Sequence, residues 1–462
     1  MQGRIQNWLA GGLAALLFVA APANSGEVQR PNSLPDPGYS DQWGSGQLVS
    51  NNAATMNFEA RITALEAVLA DEKKEEIQWK DVSGEKWTVK LGGRILGDYV
   101  MFAHQDAANL AAIGDQQNYF EIRSLRIQAE GTGYGVYDYK LQLDFEPENE
   151  EEAIKDLWIG IHEIPVIGYA RFGHFKAPMS LEQLTSSRYI TFMERSLADV
   201  FVPGRKVGAA SYNNALDEAI HVSYGVFFND IEDNDKQRID DAQGVEFALR
   251  GVWTPVYTAN GRGLIHVGGA WRYVDDRDDN VSFNARPETH EEDYFLQTGA
   301  IDARDFHVFN TEMAAIYGPL SLQSELFLTR VNPIGGGEVD LYGAYAYASY
   351  FLTGESRGYK RKEAAFDRVK PNTNFWIVRT SDGPSAGWGA WELAARWSYL
   401  DFTDPALDDD GNGTLHDLTL GINWYWNPYA RMMFNYIHPF GNRDDVGANE
   451  ADILGMRMQV DF

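Results

Sequence analysis

The chain of 462 residues contains no cysteine, so disulfide bonds cannot hold it together. Beyond one apolar run near the N-terminus, it has no hydrophobic stretch of the roughly 20 residues that a membrane-spanning helix needs. Basic residues are scarce, with 39 Lys and Arg against 67 Asp and Glu, and the net charge of −28 argues against nucleic acid as a partner. The average does not exclude a local anion site, because a local field can oppose it.

Recognisable metalloprotease motifs are also missing. The nine histidines are scattered, and none stands in an H-E-x-x-H sequence. A membrane-barrel enzyme such as a lipase or protease is therefore disfavoured, and we expect neither catalytic residues nor an organic cofactor.

The N-terminus carries an export pattern. Arg4 precedes an apolar run over residues 8–21, and Ala21-Pro22-Ala23 forms a small-x-small cleavage site. This pattern predicts a secretory signal peptide over residues 1–23. A membrane anchor is the alternative, but the apolar run is short for a spanning helix.

Two further segments precede the main domain. Residues 24–47 are rich in Pro, Gly, Ser, Asp and Asn, which predicts a linker. Within residues 48–76, apolar side chains recur at spacings of four, three and four residues, from Phe58 to Leu69. This seam predicts a short coiled-coil helix that oligomerises the chain. An ordinary amphipathic helix packed on a neighbour is the alternative, since such a short seam cannot hold helices together alone.

From Trp87 onward the apolar residues fall on every second position, which is the period of a β-strand. The final strand, Leu454–Phe462, alternates apolar residues with Gly455, Arg457, Gln459 and Asp461. Charged residues on one strand face would be costly in a dry core, whereas a water-filled barrel in lipid requires this alternation. The terminal aromatic residue also resembles the sorting signal of bacterial outer-membrane barrels.

We therefore predict an all-β fold, a closed transmembrane antiparallel barrel over residues 80–462 with sixteen strands. The clearest strands are Trp87–Met101, Val136–Phe145, Ile220–Phe227, Val245–Trp253, Leu418–Trp426, Ala430–Tyr436 and Leu454–Phe462. Tight turns are predicted at 131–135, 163–165, 213–217 and 427–428, and long loops near 104–118, 176–206, 229–242, 275–304, 403–413 and 439–450. Segment 353–388 is long but falls at the turn end of the barrel. Either it folds into the lumen, or the strand count is wrong there by one hairpin.

Four stretches of the sequence resemble the phosphate- and pyrophosphate-selective porins of bacterial outer membranes. They are RFGHFKAPMSLEQLTSSRYITFMERS at 171–196, YFLTGESR at 350–357, GAWELAAR at 389–396 and GINWYWNP at 421–428. Together with the terminal strand, the resemblance extends from about residue 87 to residue 462. It implies a homotrimeric, sixteen-stranded channel in the outer membrane, in contact with its lipids. It also implies that loop three bends into the lumen, where its basic side chains gather and pass small anions such as phosphate.

Local charge supports an anion path in loop three. The segment 171–206 has six bases against the acids Glu182, Glu194 and Asp199. These candidate constriction residues are Arg171, Lys176, Arg188, Arg195, Arg205 and Lys206. The segment 357–370 has six bases against Glu363 and Asp367. This second basic segment comprises Arg357, Lys360, Arg361, Lys362, Arg368 and Lys370. In each case the alternative is a solvated loop of mixed charge.

The inward faces of the predicted strands carry nearly balanced charge. The predicted lumen bases are Lys90, Arg94, Arg126, Lys140, Arg250, Arg272, Arg396, Arg431 and Arg457. The predicted lumen acids are Asp98, Asp138, Asp144, Glu246, Glu325, Glu392, Asp417 and Asp461. Because such residues can pair across neighbouring strands, the wall is expected to contribute little selectivity.

The predicted outer loops are acidic. Loop 229–242 has six acids against two bases, and loop 275–304 has nine acids against three. An acidic vestibule repels phosphate, so a general or cation-leaning porin is the alternative function, unless divalent cations neutralise these loops. Asp408, Asp410 and Asn412 match the start of a calcium loop, although Thr419 stands where its final glutamate belongs. A structural tether between membrane and cell wall, using the 48–76 coil, is a remoter alternative.

Overall fold

A computed structural model describes residues 86–145, 154–228, 244–276, 280–380, 383–407 and 411–462. These residues form a closed antiparallel barrel of sixteen strands, in which the last strand pairs with the first. The predicted fold class and strand number are confirmed. The predicted signal peptide, linker and coil lie outside the described residues. Within the described ranges, no helix has the length and hydropathy needed to cross a bilayer.

The strands follow one another around the barrel in chain order. They are β1 (Lys90–Gln105), β2 (Tyr119–Gly133), β3 (Tyr137–Asp144), β4 (Ile154–Ile164), β5 (Gly168–Lys176), β6 (Arg205–Ala215), β7 (Ile220–Phe228), β8 (Val245–Thr258), β9 (Gly263–Asp275), β10 (Ala303–Tyr317), β11 (Leu320–Pro333), β12 (Val339–Phe351), β13 (Ala390–Asp401), β14 (Gly413–Asn427), β15 (Ala430–Arg443) and β16 (Gly447–Asp461).

The alternation in β16 sorts its side chains between the two faces of the wall. Leu454 and Met458 are 41% and 45% exposed on the outer surface, whereas Arg457 is 1% exposed on the inside. β16 closes the barrel by pairing with β1, in a register that places Asp461 opposite Arg94. The outer face is therefore apolar, as a lipid-facing surface must be.

Seven connections lie at the end of the barrel that carries both chain ends, and six of them are tight turns. In bacterial barrels this end faces the periplasm. At the opposite end, the predicted long loop at 439–450 is wrong. β15 and β16 continue pairing up to Arg443 and Gly447. The polar and glycine-rich sequence there indicated a loop, but polar residues are also tolerated in strands that extend beyond the lipid into water.

The seventh connection at the turn end is the long segment between β12 and β13, and part of it folds into the lumen. Arg357 is buried and donates to Gln323 Oε1 at 3.1 Å and to Tyr347. Phe366 donates its backbone N–H to Thr185 at 3.3 Å. Of the two predicted possibilities, the inward fold is therefore correct, and the strand count stands. We call residues 355–370 the inner segment.

The connection between β5 and β6 (177–204), here called L3, also lies inside the barrel. It contains the short helix α1 (Leu181–Leu184), and Glu325 on β11 accepts hydrogen bonds from Ser180 Oγ and from the first two backbone N–H groups of the helix. A carboxylate is favourable at this position because it satisfies unpaired N–H groups. Glycines on the wall admit the loop, since a Cβ at Gly343 would lie 2.9 Å from Phe201 and one at Gly455 2.8 Å from Met193.

A third inward loop, L5 (280–302), follows β9. Its two short strands, Asn284–Ala285 and Leu296–Gln297, form a hairpin. Phe283 of L5 packs against Phe201 of L3 with 5.3 Å between ring centroids, inside the largest buried apolar cluster of the described chain. L3 and L5 therefore fill one side of the lumen, and their packing against the wall forms the apolar core of the protein.

Replacing Glu325 with alanine removes the three hydrogen bonds that hold α1. Because a hydrogen bond contributes roughly 0.5–1.5 kcal/mol, we expect the docking of L3 to weaken by about 2–4 kcal/mol. The measurement is the rate of tryptic cleavage within L3 in folded protein.

The matched control is Ser321→Ala, a buried change on the same strand face at a hydroxyl that has no hydrogen-bond partner. It is expected to leave the cleavage rate unchanged. Equal rates in E325A and wild type would contradict the role of Glu325.

Candidate ion pathway

The lumen keeps one large cavity of about 1040 Å³ next to strands β1–β7. The side chains around it include fourteen Lys and Arg against six Asp and Glu. The bases are Lys90, Arg94, Arg123, Arg126, Lys140, Arg171, Lys176, Arg188, Arg195, Arg205, Lys360, Lys362, Arg368 and Arg457. The acids are Glu130, Asp138, Asp156, Glu194, Glu363 and Asp367. The excess of eight positive charges stands in a chain of net charge −28.

Four of the predicted wall bases, Lys90, Arg94, Arg126 and Lys140, lie in this cavity on β1–β3. Arg94 donates to Ser124 Oγ at 3.2 Å and to Ser187 Oγ of L3 at 2.8 Å, so its charge is held by neutral groups. Arg126 and Lys140 pair with Asp144 and Asp156 at 2.5 Å and 3.0 Å, as expected of a wall whose charges cancel, whereas Arg94 is bound by serine hydroxyls.

Arg171 on β5 is surrounded by aromatic rings. Its guanidinium lies 3.9 Å from the ring centroid of Trp158 and 4.9 Å from that of Tyr212, and its Nε donates to Tyr169 Oη at 3.3 Å. Cation–π contacts position a guanidinium without neutralising it. Arg171 is thus a rigid positive group beside the cavity.

The structure brings five of the six candidate constriction residues to the cavity. Lys176 and Arg195 donate to backbone carbonyls of L3, whereas Arg205 forms an ion pair with Asp156 at 2.9 Å. Arg188 lies 3.6 Å from Asp461. Lys206 is buried and does not line the cavity.

The inner segment contributes Lys360, Lys362 and Arg368 to the cavity. The other three bases of the predicted second basic segment lie elsewhere. The guanidinium of Arg357 lies 3.6 Å from the ring centroid of Phe366. Arg361 stacks on Tyr257 at 4.8 Å, and Lys370 is exposed outside the cavity.

Four other predicted lumen bases, Arg250, Arg272, Arg396 and Arg431, point inward but do not reach the cavity. Arg250 pairs with Glu312 at 2.8 Å, and Arg272 pairs with Glu246 at 2.7 Å. Arg431 donates to Gln459 and to the carbonyl of Ile190 in L3. These bases stabilise the filled side of the lumen and do not line the open side.

Arg123 on β2 lines the cavity although the sequence pattern does not predict it there. Strict alternation puts residues 123 and 126 on opposite faces, so a pattern with Arg126 inside predicts Arg123 outside. The pairing of β1 with β2 shifts register between Leu96 and Asp98. A bulge of this kind turns consecutive side chains to one face, so both arginines point inward. The R-S-L-R sequence itself gives no signal of the bulge.

Two acids of L3 respond differently to their surroundings. Burial opposes ionisation of Glu194, but Arg123 at 2.9 Å and Arg457 hold the pKa of its carboxyl well below the ordinary value. Burial raises the pKa of Asp199 to about 6, although Arg195 at 3.9 Å acts in the opposite direction. Glu194 is therefore a permanent anion at the cavity edge, whereas Asp199 changes charge near neutral pH.

The predicted calcium loop is only partly described. Asp408 and Asp410 lie outside the described residues, and Asn412 is buried. Thr419 lies within β14, where its hydroxyl donates to Glu288. Calcium binding at this loop stays a prediction.

Comparison with known proteins gives matches along most of the chain. Residues 89–462 match the family described as phosphate-selective porin O and P. The chain is 26% identical over 416 residues to porin O of Pseudomonas aeruginosa, covering 82% of this chain and 89% of that protein. It is 25% identical over 365 residues to an uncharacterised protein of Caulobacter vibrioides, covering 74% of this chain and 68% of that protein.

Among solved structures, in-vitro folded OmpT of Vibrio cholerae superposes with a TM-score of 0.52 at 11% identity, covering 83% of this chain and 100% of that chain. A second structure of OmpT, described as a trimer form, superposes with a TM-score of 0.52 at 12% identity and covers 82% of this chain and 100% of that chain. At these identities the likeness concerns the fold alone.

Lowering the pH from 7 to 5 protonates Asp199, because its pKa lies at about 6. Loss of this negative charge beside Arg195 makes the cavity more positive. We expect the anion preference of the wild type to rise between pH 7 and pH 5, and this rise to be smaller in Asp199→Asn. The measurement is the reversal potential in a salt gradient at each pH.

Asp115→Asn, an exposed change in the loop between β1 and β2, is the control and is expected to behave as wild type. A pH profile of D199N that coincides with that of wild type would exclude Asp199 as a contributor.

Proposed function

Because the chain belongs to the phosphate-selective porin O and P family, we propose that it is a passive outer-membrane channel that prefers small anions, with phosphate among them. Membership of this family makes it a barrel channel of the outer membrane and not an enzyme. The anion preference, the role of L3 as the constriction and the passage of phosphate are the parts that we propose.

The observation that carries this proposal is the charge of the cavity. Fourteen bases against six acids line the open side of the lumen, although acids outnumber bases in the chain as a whole. A narrow space with low-dielectric walls focuses this field and raises the local concentration of counter-ions.

The constriction is assigned to the place where L3 meets the wall. Ser187 of L3 accepts a hydrogen bond from Arg94 on β1, and Arg188 and Arg195 of L3 line the same cavity. An ion that passes here lies between basic groups of the wall and of the loop.

The chemistry of the lining suits a phosphate ion that has to leave again. Arginine binds phosphate oxygens in a bidentate manner, whereas lysine acts as a mobile point charge. Several moderate contacts in sequence allow conduction, and one very tight contact does not. Bases on β1, β2, β5 and the inner segment supply such a series.

The acidic outer loops are the reason for the alternative of a cation-leaning porin. Loop 229–242 lies outside the described residues. In L5, Glu288 is bound by Arg396, so at least one of the predicted vestibule acids is neutralised inside the barrel. The described lining favours anions, and the bilayer experiment below separates the two functions.

The direct test combines Arg94→Gln with Arg171→Gln, because neither base has a carboxylate in the hydrogen bonds described above. A unit charge at about 4 Å contributes roughly 1 kcal/mol even in water, so we expect the anion-to-cation permeability ratio to fall several-fold. The measurement is the reversal potential in planar bilayers under a KCl gradient.

The control is Arg330→Gln, which removes a positive charge from a half-exposed ion pair with Asp340 outside the cavity. It is expected to keep the wild-type ratio. Cation preference of the wild-type channel would refute the proposed function.

Phosphate passage has its own measurement in the same bilayers. We expect added phosphate to reduce the chloride current of the wild type, because it occupies the basic cavity for longer than chloride does. This block should weaken in the R94Q/R171Q variant. If phosphate does not reduce the chloride current, phosphate preference is contradicted. The channel would then be a general anion channel.

We further propose a homotrimer, as the family resemblance implies. A trimer form is on record for OmpT of Vibrio cholerae. Light scattering of the detergent-solubilised protein measures the mass, and a monomeric mass would contradict the assembly.

A further inference from the structure

The tip of L5 crosses the lumen between two parts of the wall. At one side, Glu288 binds Arg396 and accepts hydrogen bonds from Ser398 and Thr419 on β13 and β14. At the other side, His290 Nδ1 lies 2.7 Å from Glu121 Oε2 on β2. The contact between His290 and Glu121 therefore sits where the loop reaches the far wall.

Two carboxylates converge on the same ring nitrogen. Besides Glu121 Oε2 at 2.7 Å, Glu291 Oε1 lies 3.2 Å from His290 Nδ1. The three ligand-type atoms all lie within 4.8 Å of one another. A single N–H can donate one good hydrogen bond, so a protonated histidine satisfies only one of the two carboxylates well.

A further buried carboxyl group lies beside these ligand-type atoms. Glu292 is 4% exposed and interacts with the hydroxyls of Tyr119 and Thr289. Glu292 and Glu121 both interact with Tyr119, whose hydroxyl accepts a hydrogen bond from the backbone N–H of His290 at 3.4 Å. A buried carboxylate oxygen without a partner, such as Glu121 Oε1, is costly, and a cation bound here would offset that cost.

Arg286, the basic residue of the described part of L5, does not supply that positive charge. Its Nε donates to the backbone carbonyl of Glu292, and its guanidinium stacks on Tyr294 at 4.6 Å. Arg123 on β2 does not supply it either, because its guanidinium pairs with Glu194 at 2.9 Å.

We propose that Glu121, His290 and Glu291 bind a divalent cation of the zinc type, with Glu292 as a neighbouring carboxylate. Imidazole and carboxylate ligands suit Zn²⁺, whereas calcium takes oxygen ligands only. Zn–N and Zn–O bonds of about 2.1 Å in a tetrahedron place neighbouring ligand atoms about 3.4 Å apart. The observed 2.7 and 3.2 Å need only small side-chain shifts to reach that geometry.

Such an ion would do two things at this place. It would fasten the tip of L5 to β2 across the lumen, in addition to the anchor at Arg396. It would also offset the carboxylates near the anion pathway. The proposed site stands on its own residues and does not depend on the ion selectivity proposed above.

The test is Zn²⁺ binding to purified, chelator-treated protein in detergent, measured by equilibrium dialysis and calorimetry. The variants are His290→Gln and Glu291→Gln, and the matched control is His307→Gln, an imidazole that stacks on Trp271. Glu291 is 54% exposed, so its replacement does not disturb folding. Heat-modifiable migration on gels verifies the folded barrel in every variant.

We expect wild type and H307Q to bind Zn²⁺ equally, and H290Q and E291Q to lose one Zn²⁺ per chain or to bind it at least tenfold more weakly. Mg²⁺ at the same concentration should not displace the ion. Unchanged stoichiometry and affinity in both H290Q and E291Q would overturn the proposal, as would full displacement of Zn²⁺ by Mg²⁺.

Discussion

One buried guanidinium connects the elements that give this barrel its interior. Arg396 on β13 is 1% exposed and binds Glu182 at 3.2 Å and the carbonyl of Glu194 at 3.1 Å, both in L3. It also binds Glu288 at the tip of L5. Breaking a buried ion pair costs about 3–5 kcal/mol because a charge is left without a partner. The positions of both loops therefore depend on this residue, and the shape of the open lumen depends on the loops.

With L3, L5 and the inner segment packed against β8–β16, the lumen is divided into two unlike halves. On the filled side, bases and acids neutralise one another in pairs such as Arg250 with Glu312. On the open side, Arg94 is held by serines and Arg171 by aromatic rings, so their charges are not cancelled. A strongly acidic chain can thus present a basic cavity, because its acids are used in pairs or lie in the outer loops.

Much of the barrel could be predicted from the sequence. Period-two patterning identified the closed barrel and its strand number, and the inward assignment of Arg457 and Asp98 is correct because a strand side chain has only two faces to choose from. The prediction failed where that rule is broken. The bulge in β2 turned Arg123 inward without any signal in the sequence, and the polar residues near 439–450 continued as strand because the barrel extends beyond the lipid.

The sequence by itself determined the architecture and which side of the wall each strand residue faces, because lipid and water impose a local, alternating pattern. Only the tertiary structure decided which inward charges remain available to an ion. Arg396 finds Glu182 and Glu288, and Arg457 finds Glu194 as well as Asp98, across long stretches of chain. Neutralisation of this kind acts over about 3 Å and depends on where the loops fold, so composition and spacing do not reveal it.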